Sequence, residues 1–300
     1  MNELSPLVIS AAVTPLRLGK PMQSAEEMVT EALASLEAGA TIIHHHHNYL
    51  LSSKDASEQI IDVERQIRSE FPHALLYVDY LDGTTTPERT AYLQPLSDAN
   101  LLSMFAFDPG YTMFDKLDDD GLPSQFNLQG FTFTDAAELL SFGHKAGVPV
   151  NIGIYEPGHL RWAVAYARAG KLPAGSMFKL YFPVGRGLSG KPRVGVGLYP
   201  TKQALDVYLS MMDGLEIAWE VAVPGGNVLE EPVGRYALER GGHVRVGIED
   251  IGIERPEGIL DISNADTVRA AAALADEVGR PIARPEEALQ TLSNPSRVTT

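Results

Sequence analysis

The most constraining feature of this sequence is an alternation of short apolar runs with longer amphipathic segments, which repeats eight times along the chain. Short apolar runs bounded by turn residues are typical of strands buried on both faces of a parallel sheet. Apolar residues at helical spacing, such as Met28, Ala32 and Leu36, predict helices between these runs. The eight predicted strands are Leu7–Val13, Thr41–His46, Ala74–Val78, Leu101–Phe105, Pro149–Tyr155, Ser176–Tyr181, Gly214–Val221 and His243–Ile248.

Strands that alternate with helices predict an α/β fold. Eight units in 300 residues favour a single (β/α)8 TIM barrel that spans residues 1–300. An open, doubly wound sheet of about five or six units is the alternative fold. The predicted helices are Ser24–Glu37, Ala56–Ser69, Pro87–Leu96, Thr134–Ala146, Gly158–Ala169, Thr201–Met212, Val228–Glu239 and Asn264–Val278.

Two connections are unusually long, residues 107–131 after the fourth predicted strand and residues 183–200 after the sixth. Long loops in a compact domain are often lids or binding loops. Both follow the carboxyl ends of their strands, which is the face where barrel enzymes place their active sites. We therefore expect both loops to border a binding site.

The chain contains no cysteine, which excludes disulfides, thiolate metal sites and a thiol nucleophile. Any metal must be held by nitrogen and oxygen ligands. The formal net charge of −15 and the lack of a basic stripe argue against nucleic acid and anionic membranes as partners. No signal peptide and no apolar stretch of membrane-spanning length is evident, so we expect a cytoplasmic location.

A run of four histidines, His44 to His47, ends the second predicted strand. Because side chains alternate faces along a strand, His44 and His46 share one face, and His45 and His47 share the other. Two histidines at this spacing on a barrel-facing strand end can chelate one metal ion. The alternative is a polar strand end whose histidines bind only their neighbours.

The third ligand is expected from the eighth predicted strand, which ends in Glu249 and Asp250. In a closed barrel the first, second and eighth strands are neighbours, which brings either carboxylate near the histidines. The alternative is a carboxylate pair that stabilises a helix N-terminus. Two histidines and one carboxylate form a catalytic zinc set, although iron(II) or another divalent metal fits the same ligands.

Several segments resemble the β-keto acid cleavage enzyme family. Residues 37–46 resemble its AGAxxxHxH motif, and residues 241–250, GGHVRVGIED, closely match its GGHVRVGxED block. Weaker similarities lie at residues 9–14, 155–160 and 279–288, so the resemblance runs over almost the whole chain.

The resemblance implies that His44, His46 and Glu249 bind zinc and that Asp250 acts beside the metal. It also implies a TIM barrel, a homo-oligomer and a small-molecule carboxylic acid substrate. The implied reaction converts a β-keto acid and acetyl-CoA into acetoacetate and a CoA ester. Two alternatives remain: a metal-dependent aldolase or lyase that does not use CoA, and a homologue that binds metal and ligand without turnover.

The chain departs from the family pattern where the family binds substrate. The strand-five glutamate appears as Gly153, and the arginine after strand seven appears as Gly226. The family's STGG segment appears as residues 80–83, and the glutamate after strand one is absent. We expect Arg17, in the loop after strand one, to replace the missing arginine as a clamp for the substrate carboxylate.

Further candidate residues follow other predicted strands. Tyr80 and Asp82 are candidates for proton transfer, and Glu156 is a candidate for substrate binding. Residues 185–191 fit G-x-x-x-x-G-K, but Pro192 follows instead of Ser or Thr, which argues against a nucleotide P-loop. Arg186 and Lys191 in this loop could still bind CoA phosphates. A solvated loop is the alternative.

Overall fold

Eight parallel strands form one sheet that closes almost completely into a barrel, with helices between them. The structure is a computed structural model, and it describes residues 4–16, 22–188, 190–255 and 258–299. The predicted (β/α)8 TIM barrel is confirmed. Within the described residues, no helix combines the length and apolar character needed to cross a membrane.

The barrel strands are interrupted in sequence by one hairpin and followed by a second, smaller one. In chain order the strands are β1 Ile9–Ala12, β2 Ile42–His45, β3 Leu75–Val78, β4 Phe105–Phe107, β5 Gly110–Leu117, β6 Pro123–Phe131, β7 Val150–Ile154, β8 Met177–Tyr181, β9 Ala218–Ala222, β10 His243–Val246, β11 Glu254–Arg255 and β12 Gly258–Ile259.

The helices surround the barrel or cover its ends. They are α1 Ala25–Glu37, α2 Ser53–Glu70, α3 Thr86–Arg89, α4 Leu93–Asp98, α5 Phe133–Ala146, α6 Pro157–Arg168, α7 Lys202–Met212, α8 Pro232–Glu239, α9 Ile248–Ile251, α10 Asn264–Glu277 and α11 Pro285–Ser293. The predicted capping box of α1 is present, because the Ser24 hydroxyl accepts from the Glu27 amide and the Glu27 carboxylate accepts from the Ser24 amide.

The strands pair in the order β3-β2-β1-β10-β9-β8-β7-β4, which leaves β3 and β4 as the two sides of a seam. At this seam a side chain accepts a hydrogen bond that a backbone carbonyl group accepts elsewhere in the sheet. The Leu76 amide of β3 donates to the Ser103 hydroxyl at 2.9 Å. The order places β1 between β2 and β10, as the sequence analysis expects of a closed barrel.

Two predicted elements differ from the observed ones near this seam. The predicted helix Pro87–Leu96 is divided into α3 and α4, because Pro95 has no N–H with which to continue one helix through its centre. The fourth strand begins at Phe105 rather than at Leu101. The amides of Leu101 and Leu102 bond back to the carbonyl oxygen of Leu96, which ends α4 and keeps these residues out of the sheet.

The inside of the barrel changes from apolar to polar along the strand direction. Ile42, Met177 and Ala218 belong to an apolar cluster near the amino ends of the strands, which α11 covers with Ala288 and Leu292. Two residues further along these three strands, the side chains are polar or ionisable. They are His44 on β2, Lys179 on β8 and Glu220 on β9, and all three are buried. The polar side chains therefore lie toward the carboxyl end of the barrel.

The segment 107–131, predicted as a long loop, contains the antiparallel hairpin β5–β6. The Asp115 carboxylate on this hairpin accepts from the amides of Val194 and Gly195, at 3.0 and 3.2 Å. These two amides belong to the connection after β8, residues 183–200. The two long connections therefore contact each other beyond the carboxyl ends of the barrel strands.

Candidate metal centre and active site

Three side chains from two distant segments meet at the carboxyl end of the barrel. The Nε2 atoms of His44 and His46 lie 3.2 Å apart. The Glu249 carboxylate lies 3.0 Å from Nε2 of His46 and 3.5 Å from Nε2 of His44. All three residues are buried, and one ligand atom from each lies within 4.8 Å of the others. Two nitrogens and one oxygen in this arrangement match the donor set of a divalent metal site.

A sharp turn after β10 brings Glu249 to the histidines. The predicted eighth strand extends to Ile248, but the observed strand ends at Val246, and Glu249 lies on the one-turn helix α9. Gly247 has a φ of 134°, and a β-carbon there would overlap the carbonyl oxygen of Ala12 on the neighbouring strand. Only glycine permits this close approach and this backbone conformation.

The hydrogen bonds around His46 leave its Nε2 available as a ligand. The Tyr49 hydroxyl donates to the Asp79 carboxylate at 2.6 Å, so its oxygen accepts from Nδ1 of His46 at 2.7 Å. A histidine that donates from Nδ1 carries a lone pair on Nε2 when it is neutral. That lone pair faces the Glu249 carboxylate, which is a repulsive arrangement unless a cation or proton lies between them. The donor chemistry of the site therefore fits a metal ion.

Burial and charge act differently on the three groups. Burial lowers the pKa of His44 to about 3, so this ring is neutral at pH 7. Burial also acts to lower the pKa of His46, but the Glu249 carboxylate outweighs it and the pKa is raised. Burial acts to raise the pKa of Glu249, yet the two histidines and Arg245 hold it well below its usual value. The site thus presents one neutral ring, one ring whose pKa is raised by the neighbouring carboxylate, and one carboxyl group whose pKa is lowered.

Arg245 on β10 holds both acidic residues of α9 in place. Its Nε and Nη2 atoms donate to the two oxygens of Asp250 at 2.7 and 2.9 Å, and Nη2 also donates to Glu249 at 2.8 Å. Its Nη1 donates to the Tyr77 hydroxyl at 3.2 Å, and the Tyr77 ring stacks on His44 at 4.6 Å between centroids. Arg245 therefore contacts Glu249 directly, and it contacts His44 indirectly, through the tyrosine that stacks on that ring.

The other two histidines of the run do not join this cluster. The Nε2 atom of His45 lies 3.6 Å from the Glu64 carboxylate of α2, on the outer side of the sheet. His47 packs edge-on against Tyr49, with 4.5 Å between ring centroids. We infer that His45 stabilises the contact between β2 and α2 and that His47 packs against the tyrosine that orients His46.

The predicted proton-transfer residues after β3 lie in different surroundings. Tyr80 is partly buried, packs edge-on against Phe131 and lies under the guanidinium group of Arg89. Asp82 is exposed, and among the described residues it has no hydrogen bond or ion pair. The pKa of Tyr80 is raised well above its usual value, first by burial and then by the nearby carboxylate of Asp108.

The predicted substrate-binding residues lie on or near the long connections. Glu156 accepts from the Gly197 amide at 2.9 Å and so helps to hold the connection after β8. Arg186 and Lys191 are exposed on that connection. Arg17 lies outside the described residues, so its role as a carboxylate clamp stays a prediction.

Three functional candidates inside the barrel were not predicted from the sequence: Tyr77, Lys179 and Arg245. A signal was available for the two cations, because each lies among buried apolar residues of a barrel strand, in Met177–Tyr181 and His243–Val246. Charged residues are almost never fully buried without a partner, so a cation in such a strand indicates a specific role. Tyr77 carried no comparable signal, since aromatic residues are common in buried strands.

Comparisons with known proteins agree with this architecture. The model of the beta-keto acid cleavage enzyme family matches residues 6–293 of the chain. A 3-keto-5-aminohexanoate cleavage enzyme of Acetoanaerobium sticklandii is 26% identical over 300 residues, which covers 95% of this chain and 97% of that protein. A 3-oxoadipate:acetyl-CoA acetyltransferase of Cupriavidus necator is 27% identical, and the match covers 97% of this chain and 96% of that protein.

Solved structures of barrel enzymes share the fold at low sequence identity. The binary complex of ObcA with oxaloacetate superposes with a TM-score of 0.60 at 13% identity, over 91% of this chain and 67% of that chain. A 3-dehydroquinate dehydratase from Geobacillus kaustophilus HTA426 superposes with a TM-score of 0.51 at 11% identity, over 91% of this chain and 93% of that chain. At such identities the likeness bears on the fold alone.

Proposed function

The chain belongs to the β-keto acid cleavage enzyme family, and on that premise we propose that it converts a β-keto acid and acetyl-CoA into acetoacetate and a CoA ester, with the help of a bound zinc ion. The observation that carries this proposal is the convergence of His44, His46 and Glu249 on one point. A relative with 27% identity carries the name 3-oxoadipate:acetyl-CoA acetyltransferase, which supports acetyl-CoA as the co-substrate.

In the proposed reaction a base removes a proton from C2 of the β-keto acid. The C2 carbanion attacks the thioester carbonyl of acetyl-CoA, a carbon–carbon bond forms and CoA thiolate leaves. The thiolate then attacks the original keto carbon, and the bond between C2 and C3 breaks. The acyl part leaves as a CoA ester, and C2 regains its proton within acetoacetate, so atoms and charges balance.

His44, His46 and Glu249 would hold the metal, which, when bound, supplies a Lewis acid for a carbonyl oxygen of the substrate. The Tyr49 hydroxyl fixes the ring orientation of His46 by accepting from its Nδ1 atom. Partners of this kind orient metal ligands and raise their basicity. Iron(II) would suit the same ligands, and metal analysis of the purified protein distinguishes the two.

Asp250 is the residue that we assign to proton transfer at C2. It directly follows Glu249 and is buried beside it. Both of its oxygens accept from Arg245, but a carboxylate has about four lone-pair sites, so acceptor capacity remains for a substrate proton. Arg245 is a positioning residue, because its guanidinium group binds Asp250 and Glu249 and holds them in a fixed relation.

The connection after β8 supplies cations for acetyl-CoA. Arg186 and Lys191 are exposed on this connection, at the end of the barrel where the metal ligands lie. Guanidinium and ammonium groups bind phosphate oxygens by charge-assisted hydrogen bonds. We propose that these two residues bind the phosphates of CoA.

The direct test measures acetyl-CoA consumption and acetoacetate formation by the zinc-loaded protein over a panel of β-keto acids of increasing chain length. The proposal expects both signals with at least one keto acid, and their loss in Glu249→Gln. Glu286→Gln, an exposed glutamate at the start of α11, is the matched control and should keep wild-type activity.

Two outcomes contradict the proposal. Cleavage or condensation of keto acids that proceeds without acetyl-CoA would indicate the aldolase or lyase alternative. Retained metal without turnover on any keto acid would indicate a homologue that only binds metal and ligand.

A further inference from the structure

Lys179 is a buried ammonium group inside the barrel for which the proposed reaction has so far assigned no role. It lies in the middle of β8 and is 3% exposed. Its Nζ atom donates to the Tyr77 hydroxyl at 3.3 Å and lies 4.8 and 5.1 Å from the ring centroids of Tyr77 and Tyr181. Within the described residues, no carboxylate lies within ion-pair distance of Nζ.

An ammonium group has three N–H donors, and a buried charge is costly unless it is paired. The single hydrogen bond of Lys179 is long, and its acceptor, the Tyr77 hydroxyl, already accepts from Arg245. The other buried cation at this level, Arg245, differs because it binds the carboxylates of both Glu249 and Asp250. Lys179 is thus the buried cation with spare donors in the described part of the barrel interior.

The nearest carboxylate on a neighbouring strand is directed elsewhere. Glu220 lies directly opposite Lys179 in the β8–β9 ladder. Its two oxygens accept from the Ser10 hydroxyl at 2.5 Å and the Asn151 amide at 2.8 Å. Glu220 therefore attracts the ammonium group from the adjacent strand without forming an ion pair with it.

On the other side of Lys179, the neighbouring strand carries a glycine, and a carboxyl group from the next strand end occupies the place of its side chain. Gly153 on β7 lies opposite Lys179 in the ladder and has no side chain. The Asp108 carboxyl group, which follows β4, reaches into the space beside Gly153. Burial raises the pKa of this carboxyl group, while the charge of Lys179 opposes the rise.

We propose that Lys179 binds the carboxylate of the β-keto acid from the inner wall of the barrel. This inference rests on the proposed function for the identity of the ligand. The Tyr77 ring lies between the two sites, since it stacks on His44 and its hydroxyl contacts Lys179. A short β-keto acid would thus direct its carboxylate to Lys179 and its keto oxygen toward His44, His46 and Glu249.

The test compares the binding of acetoacetate and of acetoacetamide, which has a similar shape but no charge. Calorimetric titration of the zinc-loaded wild type should show a preference for acetoacetate of more than tenfold. In Lys179→Met this preference should fall to near unity, with weakened acetoacetate binding and little change for the amide. Lys179→Arg should retain part of it, and Lys145→Met, which removes an exposed charge on α5, should retain all of it.

Thermal unfolding separates this role from a purely structural one. Because Lys179 is a buried charge with spare donors, Lys179→Met should melt at a temperature equal to or higher than that of the wild type, although it binds acetoacetate less well. A lower melting temperature with an unchanged preference for acetoacetate would mean that Lys179 only supports the fold, and would overturn the proposal.

Three further outcomes are decisive. If Arg17→Ala abolishes the preference for acetoacetate and Lys179→Met does not, the carboxylate is bound by Arg17. If borohydride traps acetoacetate covalently on Lys179, the lysine forms an imine and the proposed ion pair is wrong. A wild-type protein that consumes acetyl-CoA with a keto acid, but binds acetoacetate and its amide equally, overturns the assignment of Lys179 while the proposed function stands.

Discussion

The Asp108 carboxylate lies in the space beside Gly153 where a side chain at position 153 would begin, since a β-carbon built there overlaps Oδ1 of Asp108. Gly153 lies on β7, and Asp108 directly follows β4, the strand that pairs with β7. The resemblance to the family implies that related enzymes have a glutamate at the position of Gly153. Here a carboxylate from the adjacent strand end lies in that part of the barrel instead.

Gly153→Ala should displace Asp108 and disturb the site. Inserting a methyl group into a packed interior typically costs about 1–3 kcal/mol, and here the displaced group is the Asp108 carboxyl group, whose pKa the charge of Lys179 acts to lower. We expect a lower free energy of unfolding in urea and a kcat/KM reduced by at least about tenfold. The double variant Gly153→Ala, Asp108→Gly should recover much of the lost stability, because the overlap is removed.

Gly158→Ala is the control for this pair. A β-carbon at Gly158, near the start of α6, meets no atom within 4 Å, so this variant should be as stable as the wild type or slightly more stable. Equal stability of Gly153→Ala and Gly158→Ala would show that Asp108 moves aside at no cost.

His46→Ala and Glu249→Gln should each abolish stoichiometric metal binding. Each change leaves two of the three converging ligand atoms, and two ligands do not make a site of the usual affinity. Elemental analysis after purification without chelators measures the effect directly. His73→Ala, at an exposed position after α2, should bind metal like the wild type. Full metal content in either ligand variant would place the metal elsewhere.

Tyr49→Phe should weaken metal binding without removing any ligand. The change deletes the oxygen that accepts from Nδ1 of His46 and the hydroxyl that donates to Asp79. Loss of such a partner typically lowers metal affinity by about 10–100-fold. Competition with a chromogenic chelator measures the change. Tyr199→Phe, at an exposed tyrosine, provides the comparison. An affinity equal to that of the wild type would contradict the assigned tautomer of His46.

Arg245→Met should be among the most destabilising single changes at the site. It leaves the carboxylates of Glu249 and Asp250 buried without their cation, and breaking a buried ion pair in this way typically costs about 3–5 kcal/mol. Urea unfolding of the metal-free protein is the suitable measurement, because a bound metal would offset part of the loss. Arg235→Met, whose exposed partners are Glu239 and Glu277, should cost less than about 1 kcal/mol.

The stability of the fold should depend on pH through Lys179. Burial and the charge of Arg245 lower the pKa of Lys179 from 10.5 to about 8. Between these pH values the unfolded chain binds more protons than the folded chain, so the free energy of unfolding should rise as the pH increases from about 8 to 10.5. The groups that face the ammonium are Tyr77, Tyr181, Glu220, Arg245, Asp108 and Asp250.

Comparison with Lys179→Met isolates this effect, because the other titrating groups are shared. Below pH 8 the wild type should be the less stable protein, by an amount on the order of 3 kcal/mol, and the difference should narrow toward pH 10.5. Urea unfolding of both proteins at pH 7, 8.5 and 10 measures it. Parallel curves over this range would mean that Lys179 keeps its ordinary pKa.

The barrel and the three residues of the candidate metal centre could be predicted from sequence, because both depend on local periodicity and on one long motif. Eight apolar strands separated by amphipathic helices can all be buried in only a few arrangements, and the closed barrel is one of them. The alternation of side chains along β2 separates His44 and His46 from His45. The Gly247 conformation and the one-turn helix α9 were not predicted, because a sharp turn after a strand has no periodic signal.

The sequence by itself determined that this chain forms a barrel and that any metal it binds must be held by nitrogen and oxygen atoms. Only the tertiary structure decided that Arg245 joins Glu249 to Asp250, that Tyr77 lies between His44 and Lys179, and that Asp108 lies beside Gly153. These contacts join residues from strands far apart in sequence, and each depends on the register and closure of the whole barrel. A local pattern carries no information on such pairs, since closure alone determines which side chains meet inside.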